Sequence, residues 1–255
     1  MTPPIITTSE YGGAVERIRI AQPPLNVLDA STVAAIRAHV ATLAERKELK
    51  LLVWEGEGDN FSAGASISEH LPGQVEEMLS GFHAMFREIE ELSVPTAAIV
   101  RGQCLGGGCE LALWAGRVVA HPWSLLGQPE VRLAVFAPVA SMGLRWRMTG
   151  AQATDLLITG RLVKAPEALQ LGLVDEVSDD PEAAVLSWYE KRLSAHSAAA
   201  VRHAWRAARR PLNRWLREDL PMLEHQYLDE LMTHPDPTEG LTAFLEKRTP
   251  VWEAS

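Results

Sequence analysis

The chain has 255 residues, of which 47% are apolar and 22% are charged, as in ordinary globular proteins of one large or two modest domains. Its 24 basic and 33 acidic residues give a net charge of −9, which argues against nucleic-acid binding because phosphate recognition needs a basic surface. No apolar run approaches about 18 residues, so we expect no membrane-spanning helix. The first ten residues lack a charged segment followed by an apolar one, so we expect no secretory signal. With only two cysteines, the chain is expected in a reducing cytoplasm.

The first two-thirds of the chain alternate strand-like and helix-like segments. Apolar runs and alternation predict strands at 14–20, 51–54, 96–100, 117–120 and 124–126. Apolar spacing predicts helices at 31–47, 74–92 and 109–115, with Ser31 as the N-cap of the first. This alternation predicts an α/β domain whose sites lie at strand ends.

Beyond about residue 180 the sequence becomes rich in Ala, Arg and Leu, which predicts a helical region at 181–255 and a core at 1–180. Six arginines there follow a near-helical spacing: Arg202, Arg206, Arg209, Arg210, Arg214 and Arg217. They form either a solvated helix face or a contact with an anionic ligand or a neighbouring subunit, and the spacing alone leaves both interpretations open.

Three consecutive glycines, 106–108, lie between a predicted strand and a predicted helix. Glycine lets the backbone approach a ligand closely, and amides at a helix N-terminus suit a phosphate or a developing oxyanion. Leu111 breaks a dinucleotide fingerprint, and no Lys-Ser/Thr pair follows as in a P-loop. The small residues at 60–66 form a second loop, and two such loops could supply the two N–H donors of an oxyanion hole. A turn that only packs the helix on the strand is the alternative.

Glu110 and Glu130 are the candidate acid and base. If both face one pocket, burial and mutual repulsion would separate their pKa values and suit proton transfer. Alternatively, Glu110 complements a helix dipole and Glu130 is a surface turn residue. Cys104 and Cys109 have no second pair and no nearby histidine, so we expect no metal site.

Five short motifs occur in one order along the chain: PLNVL at 24–28, FSAGASI at 61–67, GGGCE at 106–110, GQPEV at 127–131, and T-G-x4-A-x-E-A-x3-G-L-V at 159–174. Together they resemble the enoyl-CoA hydratase/isomerase (crotonase) family over nearly the whole chain. The resemblance implies an α/β spiral of ββα units with a C-terminal helical oligomerisation region. It also implies an acyl-CoA substrate, assembly as a homotrimer or dimer of trimers, and no cofactor, since CoA is part of the substrate.

The resemblance also assigns roles to single residues. The backbone N–H groups of Ala65 and Gly107 would form the oxyanion hole for the thioester carbonyl. Glu110 would help to activate water, and Glu130 would exchange a proton with the acyl chain. Having both glutamates favours a hydratase. The remaining substrate and CoA contacts implied are Pro24, Leu25, Ala63, Ile67, Phe136, Phe244 and Lys247.

The sequence departs from the family pattern at two places. Ser68 stands where the family often has a CoA-contacting lysine, and Phe244 and Lys247 of a neighbouring subunit could replace it. A glycine-rich run after the second glutamate is replaced by bulkier residues at 136–143, which should reshape the acyl pocket.

The run at 135–141, with His70-Leu-Pro and Phe82-His83, most resembles the branch of the family that hydrates cyclohexa-1,5-diene-1-carbonyl-CoA to 6-hydroxycyclohex-1-ene-1-carbonyl-CoA. The alternatives are a hydratase or isomerase of linear enoyl-CoA thioesters and, from another class, an inactive CoA-binding scaffold.

Overall fold

The computed structural model describes residues 3–253, and every secondary-structure element named below lies in that range. The strands are β1 (Ile5–Glu10), β2 (Val15–Ile20), β3 (Leu51–Gly56), β4 (Thr96–Val100), β5 (Gln103–Leu105), β6 (Arg117–Ala120), β7 (Leu125–Gly127), β8 (Leu162–Lys164) and β9 (Glu176–Val177). The α-helices are α1 (Ala30–Thr42), α2 (Val75–Leu92), α3 (Gly106–Trp114), α4 (Pro138–Arg147), α5 (Gly150–Thr159), α6 (Ala165–Leu171), α7 (Pro181–Arg192), α8 (Ala198–Ala208), α9 (Arg210–Glu218), α10 (Leu220–His225) and α11 (Pro235–Leu245). A π-helical turn, Gln226–Glu230, follows α10, and a 3-10 turn, Glu130–Leu133, follows β7.

The strands form two sheets that wind along the chain as a spiral. The larger sheet has the order β1-β2-β3-β4-β6-β9, and all its neighbours pair in parallel except β1 and β2. The smaller sheet has the order β5-β7-β8, and parallel bridges at Leu28–Ala65 and Ser62–Cys104 link the preceding turns beside it. Successive turns therefore add one strand to each sheet before a helix, which is the ββα spiral predicted above. Parallel neighbours require such crossovers because a hairpin cannot join them.

Helices cover both faces of the larger sheet. The apolar side of α2 packs into the main core with Trp54, Phe86 and Trp114, which are almost fully buried. On the opposite face, α7 packs Val185 and Tyr189 against strands β2, β3, β4 and β6. Because both faces are covered, β3 and β4 consist of buried, largely apolar residues, as expected of inner parallel strands.

Most predicted elements are confirmed within a few residues, and the strands at 96–100 and 117–120 match β4 and β6 at both ends. The N-cap of α1 is a correction: Asp29, one residue before the helix, accepts the Thr32 amide at 2.8 Å, while Ser31 lies inside the helix. The helix ends at Thr42, earlier than predicted. Strand β1 was not predicted, because its outward residues are polar and only its pairing with β2 defines it.

The C-terminal helices begin at Pro181 as predicted, with the Asp180 side chain capping α7. The arginine spacing, however, does not form one helix face, because α8 and α9 are separate helices. Arg202 donates to the carbonyls of Arg46 and Leu92, and Arg206 donates to Ser93. These contacts dock α8 onto the core of its own chain, a role that neither interpretation of the arginine spacing included, and the choice between those interpretations stays open.

The division at residue 180 stays a prediction, and the outer ends of the two predicted regions lie outside the described residues. Within the described range, none of the helices combines the length and the apolar character that crossing a membrane requires.

Candidate active site

An inner cavity lies where the N-terminus of α3 meets the segments 63–67 and 129–138, with α2 forming one wall. It encloses about 620 Å³, part of it open to solvent. Seven residues proposed from the sequence line it: Ala63, Ala65, Ile67, Gly107, Glu110, Glu130 and Phe136. They come from three successive turns of the spiral, so the fold brings together groups that are far apart in sequence.

The backbone amides of Ala65 and Gly107 lie close together in the lining of this cavity. The Ala65 nitrogen lies 3.2 Å from the position that a Cβ atom on Gly107 would occupy. Gly107 is the second residue of α3, so its N–H has no partner within the helix. Within residues 3–253 the Ala65 amide donates no hydrogen bond, since the neighbouring backbone bonds are made by Leu28 and Ser66. The arrangement offers two donors to one oxygen atom, which is the requirement of an oxyanion hole.

A side chain at any of the three glycines of α3 would collide with a different neighbour. A Cβ on Gly108 would lie 2.5 Å from the Ser62 Cβ, and one on Gly106 would lie 2.8 Å from Glu130 Oε1. Gly106 also has a φ of +50°, in the left-handed region that favours glycine. Gly107 lines the cavity, and a Cβ there would lie 3.0 Å from Phe82 Cζ and 3.2 Å from the Ala65 nitrogen. The sequence analysis placed the glycines before a helix that begins at residue 109. In the structure they are instead the first three residues of that helix.

Glu110 is buried and is held by the N-terminus of a different helix from its own. The Ala140 amide, in the first turn of α4, donates to Glu110 Oε1 at 2.8 Å. The N-cap residue of α4, Ala137, has no side chain that can accept a hydrogen bond from the first turn. The Glu110 carboxylate accepts one instead and so caps this helix N-terminus. The alternative that Glu110 complements its own helix dipole is therefore not what the geometry shows.

Glu130 begins the 3-10 turn after β7 and is partly exposed in the cavity. The buried Gln128 side chain lies beside it. With its amide nitrogen turned towards the carboxylate, Gln128 donates to both oxygens of Glu130, at 3.0 and 3.2 Å. The sequence analysis missed Gln128, although it stands only two residues before Glu130 in the quoted motif.

The two carboxyls have unusual acidities. Burial raises the pKa of Glu110 to about 7, although the Ala140 and Val139 amides lower it. Burial, together with the charge of Glu110, raises the pKa of Glu130 to about 8. Because the two groups interact, they titrate as a pair. One carboxylate and one carboxylic acid in the same cavity can act as base and acid.

The rest of the inner cavity is largely apolar, with residues Met78, Leu79, Phe82, Val135, Phe136 and Leu241. Tyr227 stacks against Phe136, with 5.2 Å between ring centroids. His83 lines the opposite side on α2. Neither Tyr227 nor His83 was a candidate site residue in the sequence analysis. Tyr227 carries no local signal of a site, and His83 entered only as part of the Phe82-His83 run that supports the family resemblance.

A wider outer cleft adjoins the cavity and shares Ala63, Ala65 and Ile67 with it. Leu25 and Phe244, both proposed from the sequence, line this cleft, whereas Pro24 and Lys247 line neither space. Two arginines missed by the sequence analysis, Arg132 and Arg248, also line it. Arg248 is paired with Glu239 and Glu246, while Arg132 forms no side-chain ion pair within the described residues.

No set of three or more His, Cys, Asp or Glu side chains in residues 3–253 is grouped as metal ligands would be.

Comparison with known proteins places this site in a family. The model of the enoyl-CoA hydratase/isomerase family matches residues 10–255. The cyclohexa-1,5-dienecarbonyl-CoA hydratase of Thauera aromatica is 41% identical over 250 residues, which cover 98% of this chain and 97% of that protein. A probable enoyl-CoA hydratase of Mycobacterium bovis is 32% identical over 89% of both chains.

Among solved structures, the crystal structure of an enoyl-CoA hydratase from Mycobacterium avium subsp. paratuberculosis has a TM-score of 0.85. It is 25% identical and covers 98% of this chain and 99% of its own. This agreement in fold confirms the predicted crotonase-like architecture. With the family model matching almost the whole length, the chain belongs to the enoyl-CoA hydratase/isomerase family, as an enzyme of the hydratase type.

Proposed function

We propose that this enzyme adds water to a cyclic dienoyl-CoA thioester, converting cyclohexa-1,5-diene-1-carbonyl-CoA to 6-hydroxycyclohex-1-ene-1-carbonyl-CoA, and catalyses the reverse dehydration. The observation that carries the hydratase chemistry is the meeting of two unpartnered amides and two carboxyls in one cavity. The ring-shaped substrate is supported by the broad, aromatic wall of Phe82, Phe136 and Tyr227 and by the similarity to the Thauera protein.

In the proposed mechanism, the thioester carbonyl oxygen accepts hydrogen bonds from the Ala65 and Gly107 amides. Addition of water develops negative charge on that oxygen, so donors fixed at this point lower the barrier, by about 3 kcal/mol for one donor in comparable sites. The amides need no reorganisation because the bridge to Leu28 and the first turn of α3 hold them in place.

The two carboxyls have different roles in this mechanism. Glu110, whose carboxylate the Ala140 amide stabilises, takes a proton from water while the oxygen bonds to the ring carbon beside the thioester-bearing carbon. The electron pair moves into a conjugated enolate. Glu130, which holds its proton to higher pH, donates that proton to the carbon at the far end of the conjugated system. Water is thus divided into a hydroxyl and a proton, and the two glutamates exchange protonation states.

We also assign the outer cleft to the CoA portion of the substrate. It is continuous with the inner cavity, and its apolar lining includes Leu25 and Phe244. Arg132 replaces the missing lysine as a contact for a CoA phosphate. Its guanidinium forms no ion pair with a carboxylate of the described residues, and its planar set of donors suits a phosphate group. The homotrimer or dimer of trimers and the cytoplasmic location expected from the sequence stay proposals, and exposed apolar side chains such as Met222 and Ile158 support the assembly.

The substrate is tested by incubating the protein with cyclohexa-1,5-diene-1-carbonyl-CoA, crotonyl-CoA and a β,γ-unsaturated linear thioester in ¹⁸O-labelled water. We expect the cyclic diene to gain one labelled water and to have the highest kcat/KM. Faster hydration of crotonyl-CoA would overturn the cyclic assignment, and a double-bond shift without label would indicate an isomerase. Tight thioester binding with no turnover of any substrate would favour the scaffold alternative. A protein carrying Glu110→Gln and Glu130→Gln is the control for uncatalysed reaction.

A further inference from the structure

Two polar atoms in the apolar part of the inner cavity lack any partner in the described residues. They are His83 Nε2 and the Tyr227 hydroxyl oxygen. Both side chains line the cavity, and His83 is 0% and Tyr227 1% exposed. Buried polar atoms are almost always hydrogen-bonded in folded proteins, because leaving one without a partner costs free energy. A pair of such atoms facing one cavity points to a polar group on the molecule that fills it.

The hydrogen-bond network behind His83 fixes what its free nitrogen can do. Nδ1 lies 2.7 Å from Glu224 Oε1, which also accepts from Arg87 Nη2 at 2.8 Å. Burial raises the pKa of Glu224, but the hydrogen bonds and positive charges of His83 and Arg87 outweigh that effect, so the net pKa is lowered. Glu224 is therefore a carboxylate, which can only accept hydrogen bonds. Nδ1 therefore carries the hydrogen. Burial lowers the pKa of His83, so the ring is neutral near pH 7 and Nε2 is a hydrogen-bond acceptor.

Tyr227 supplies the complementary group. Burial, followed by the nearby charges of Glu130 and Glu110, raises the pKa of its phenol well above the ordinary value, so the hydroxyl keeps its proton. Its ring is held against Phe136 by the π-helical turn after α10, which leaves the hydroxyl as the part of the side chain that needs a partner. The cavity thus contains one acceptor and one donor with nothing to satisfy them.

We propose that His83 and Tyr227 form a hydroxyl-binding subsite, in which one hydroxyl group of the bound acyl-CoA donates to His83 Nε2 and accepts from the Tyr227 hydroxyl. A single hydroxyl satisfies both atoms. A ketone oxygen would satisfy only Tyr227, and a carboxylate would be repelled by the charge of the glutamate pair. This inference rests on the proposed function, because it takes the cavity as the acyl site, and it names the substituent that the site selects.

The hydroxyl has two possible sources, which share this chemistry. It is either the hydroxyl that hydration creates on the carbon beside the thioester-bearing carbon, or a substituent already present elsewhere on the ring. The charges of Glu110 and Glu130 act on Tyr227, so Tyr227 lies near the two carboxyls of the cavity. The charged groups that act on His83 are Glu224 and Arg87 instead, so His83 lies farther from those carboxyls. The subsite therefore extends from the reacting carbons towards the α2 wall.

The test measures dissociation constants by calorimetry for S-(cyclohexylmethyl)-CoA and its 2-, 3- and 4-hydroxy derivatives. These thioethers have no carbonyl to acidify the neighbouring C–H bond, so the enzyme cannot eliminate the hydroxyl during the measurement. Cyclohexane-1-carbonyl-CoA is measured alongside as the thioester reference. We expect at least one hydroxy derivative to bind wild-type protein about tenfold more tightly than the parent thioether. The 2-hydroxy derivative would indicate the hydroxyl formed by hydration, and the 3- or 4-hydroxy derivative a ring substituent.

The same measurements on three variants locate the preference. Tyr227→Phe removes only the hydroxyl and His83→Leu removes the acceptor, and in both we expect the advantage to fall below threefold. Met78→Leu changes an apolar residue of the same cavity and should keep the advantage. An advantage that survives in Tyr227→Phe or His83→Leu, or no advantage in wild type, overturns the subsite. Failure of cyclohexane-1-carbonyl-CoA to bind at all would instead contradict the proposed function.

Discussion

Glu130 packs directly against the backbone of Gly106, so that a Cβ atom on Gly106 would come within 2.8 Å of Glu130 Oε1. The glycine run and the second glutamate, read separately in the sequence, are thus one steric unit. Gly106 makes room for the carboxylate, and the next residue, Gly107, lines the same cavity. The proposed proton-transfer group and the proposed oxyanion donor are therefore positioned by adjacent residues of one helix end.

Replacement of either glutamate should remove catalysis without removing binding. We expect Glu110→Gln and Glu130→Gln each to lower kcat by 10²–10⁴-fold, since each loses one proton-transfer group while the cavity keeps its shape. Steady-state hydration kinetics and calorimetric thioester binding check this. The control is Glu45→Gln, which changes an exposed glutamate that lines neither the inner cavity nor the outer cleft. Turnover within a few-fold of wild type in Glu130→Gln would contradict its role as acid.

The raised pKa of Glu130 predicts a pH-dependent stability. Above its ordinary value of 4.5, the unfolded chain releases a proton that folded Glu130 keeps up to about pH 8. Wild-type stability should therefore fall as pH rises through this window, because the folded state binds more protons than the unfolded state. Glu130→Gln removes the loss, so its free energy of unfolding relative to wild type should increase by up to about 4 kcal/mol between pH 4.5 and 8.5. Urea titrations across the range measure this, and a difference independent of pH would contradict it.

A methyl group at position 107 should block the oxyanion hole. The Cβ of Gly107→Ala would lie 3.2 Å from the Ala65 nitrogen and 3.0 Å from Phe82 Cζ, within the space meant for the carbonyl oxygen. We expect kcat to fall about 100-fold. Gly81→Ala in α2 is the matched control, because its Cβ would meet nothing within 4 Å and alanine favours a helix. Loss of activity in both variants would show that the effect is not local to the amides.

Arg132 should matter for CoA rather than for chemistry. We expect Arg132→Gln to raise KM for the acyl-CoA about tenfold, with kcat nearly unchanged, and to weaken the dependence of KM on salt. Arg145→Gln, which removes an exposed arginine that lines neither cavity, is the control. Lys247→Gln tests the sequence-based expectation: a larger rise in KM there than in Arg132→Gln would favour a lysine supplied by a neighbouring subunit.

The buried pair of Arg209 and Glu90 should be the main anchor of the C-terminal helices. Arg209 Nη2 lies 2.5 Å from Glu90 Oε1, with both side chains at most 5% exposed, and Trp114 Nε1 donates to the same oxygen at 2.8 Å. Arg209→Leu leaves a buried carboxylate with a single donor, so we expect a loss of about 3–5 kcal/mol in the free energy of unfolding.

The control for this pair is the exposed contact of Arg214 with Glu218. Arg214→Gln should leave the free energy of unfolding nearly unchanged, because an exposed ion pair is screened by water. Equal losses in the two variants by chemical denaturation would argue against an anchoring role for Arg209.

The sequence by itself determined the order of the main strands and helices of the core and singled out the candidate reacting groups. Apolar spacing located α2, buried runs located β3 and β4, and short motifs placed Glu110, Glu130, Ala65 and Gly107 in a family. These features are local, since periodicity, glycine content and motif order act within a few residues of one another. That is why they could be recognised before any pairing of strands was known.

Only the tertiary structure decided what surrounds those groups. Glu110 meets the amide of Ala140, 30 residues away, and His83 meets Glu224 across 141 residues. Such contacts are set by how helices from distant parts of the chain pack against the spiral, and no local pattern encodes them. Tyr227 is the clearest case, because only the packing of the C-terminal helices onto the core brings this tyrosine into the wall of the cavity that holds Glu110 and Glu130.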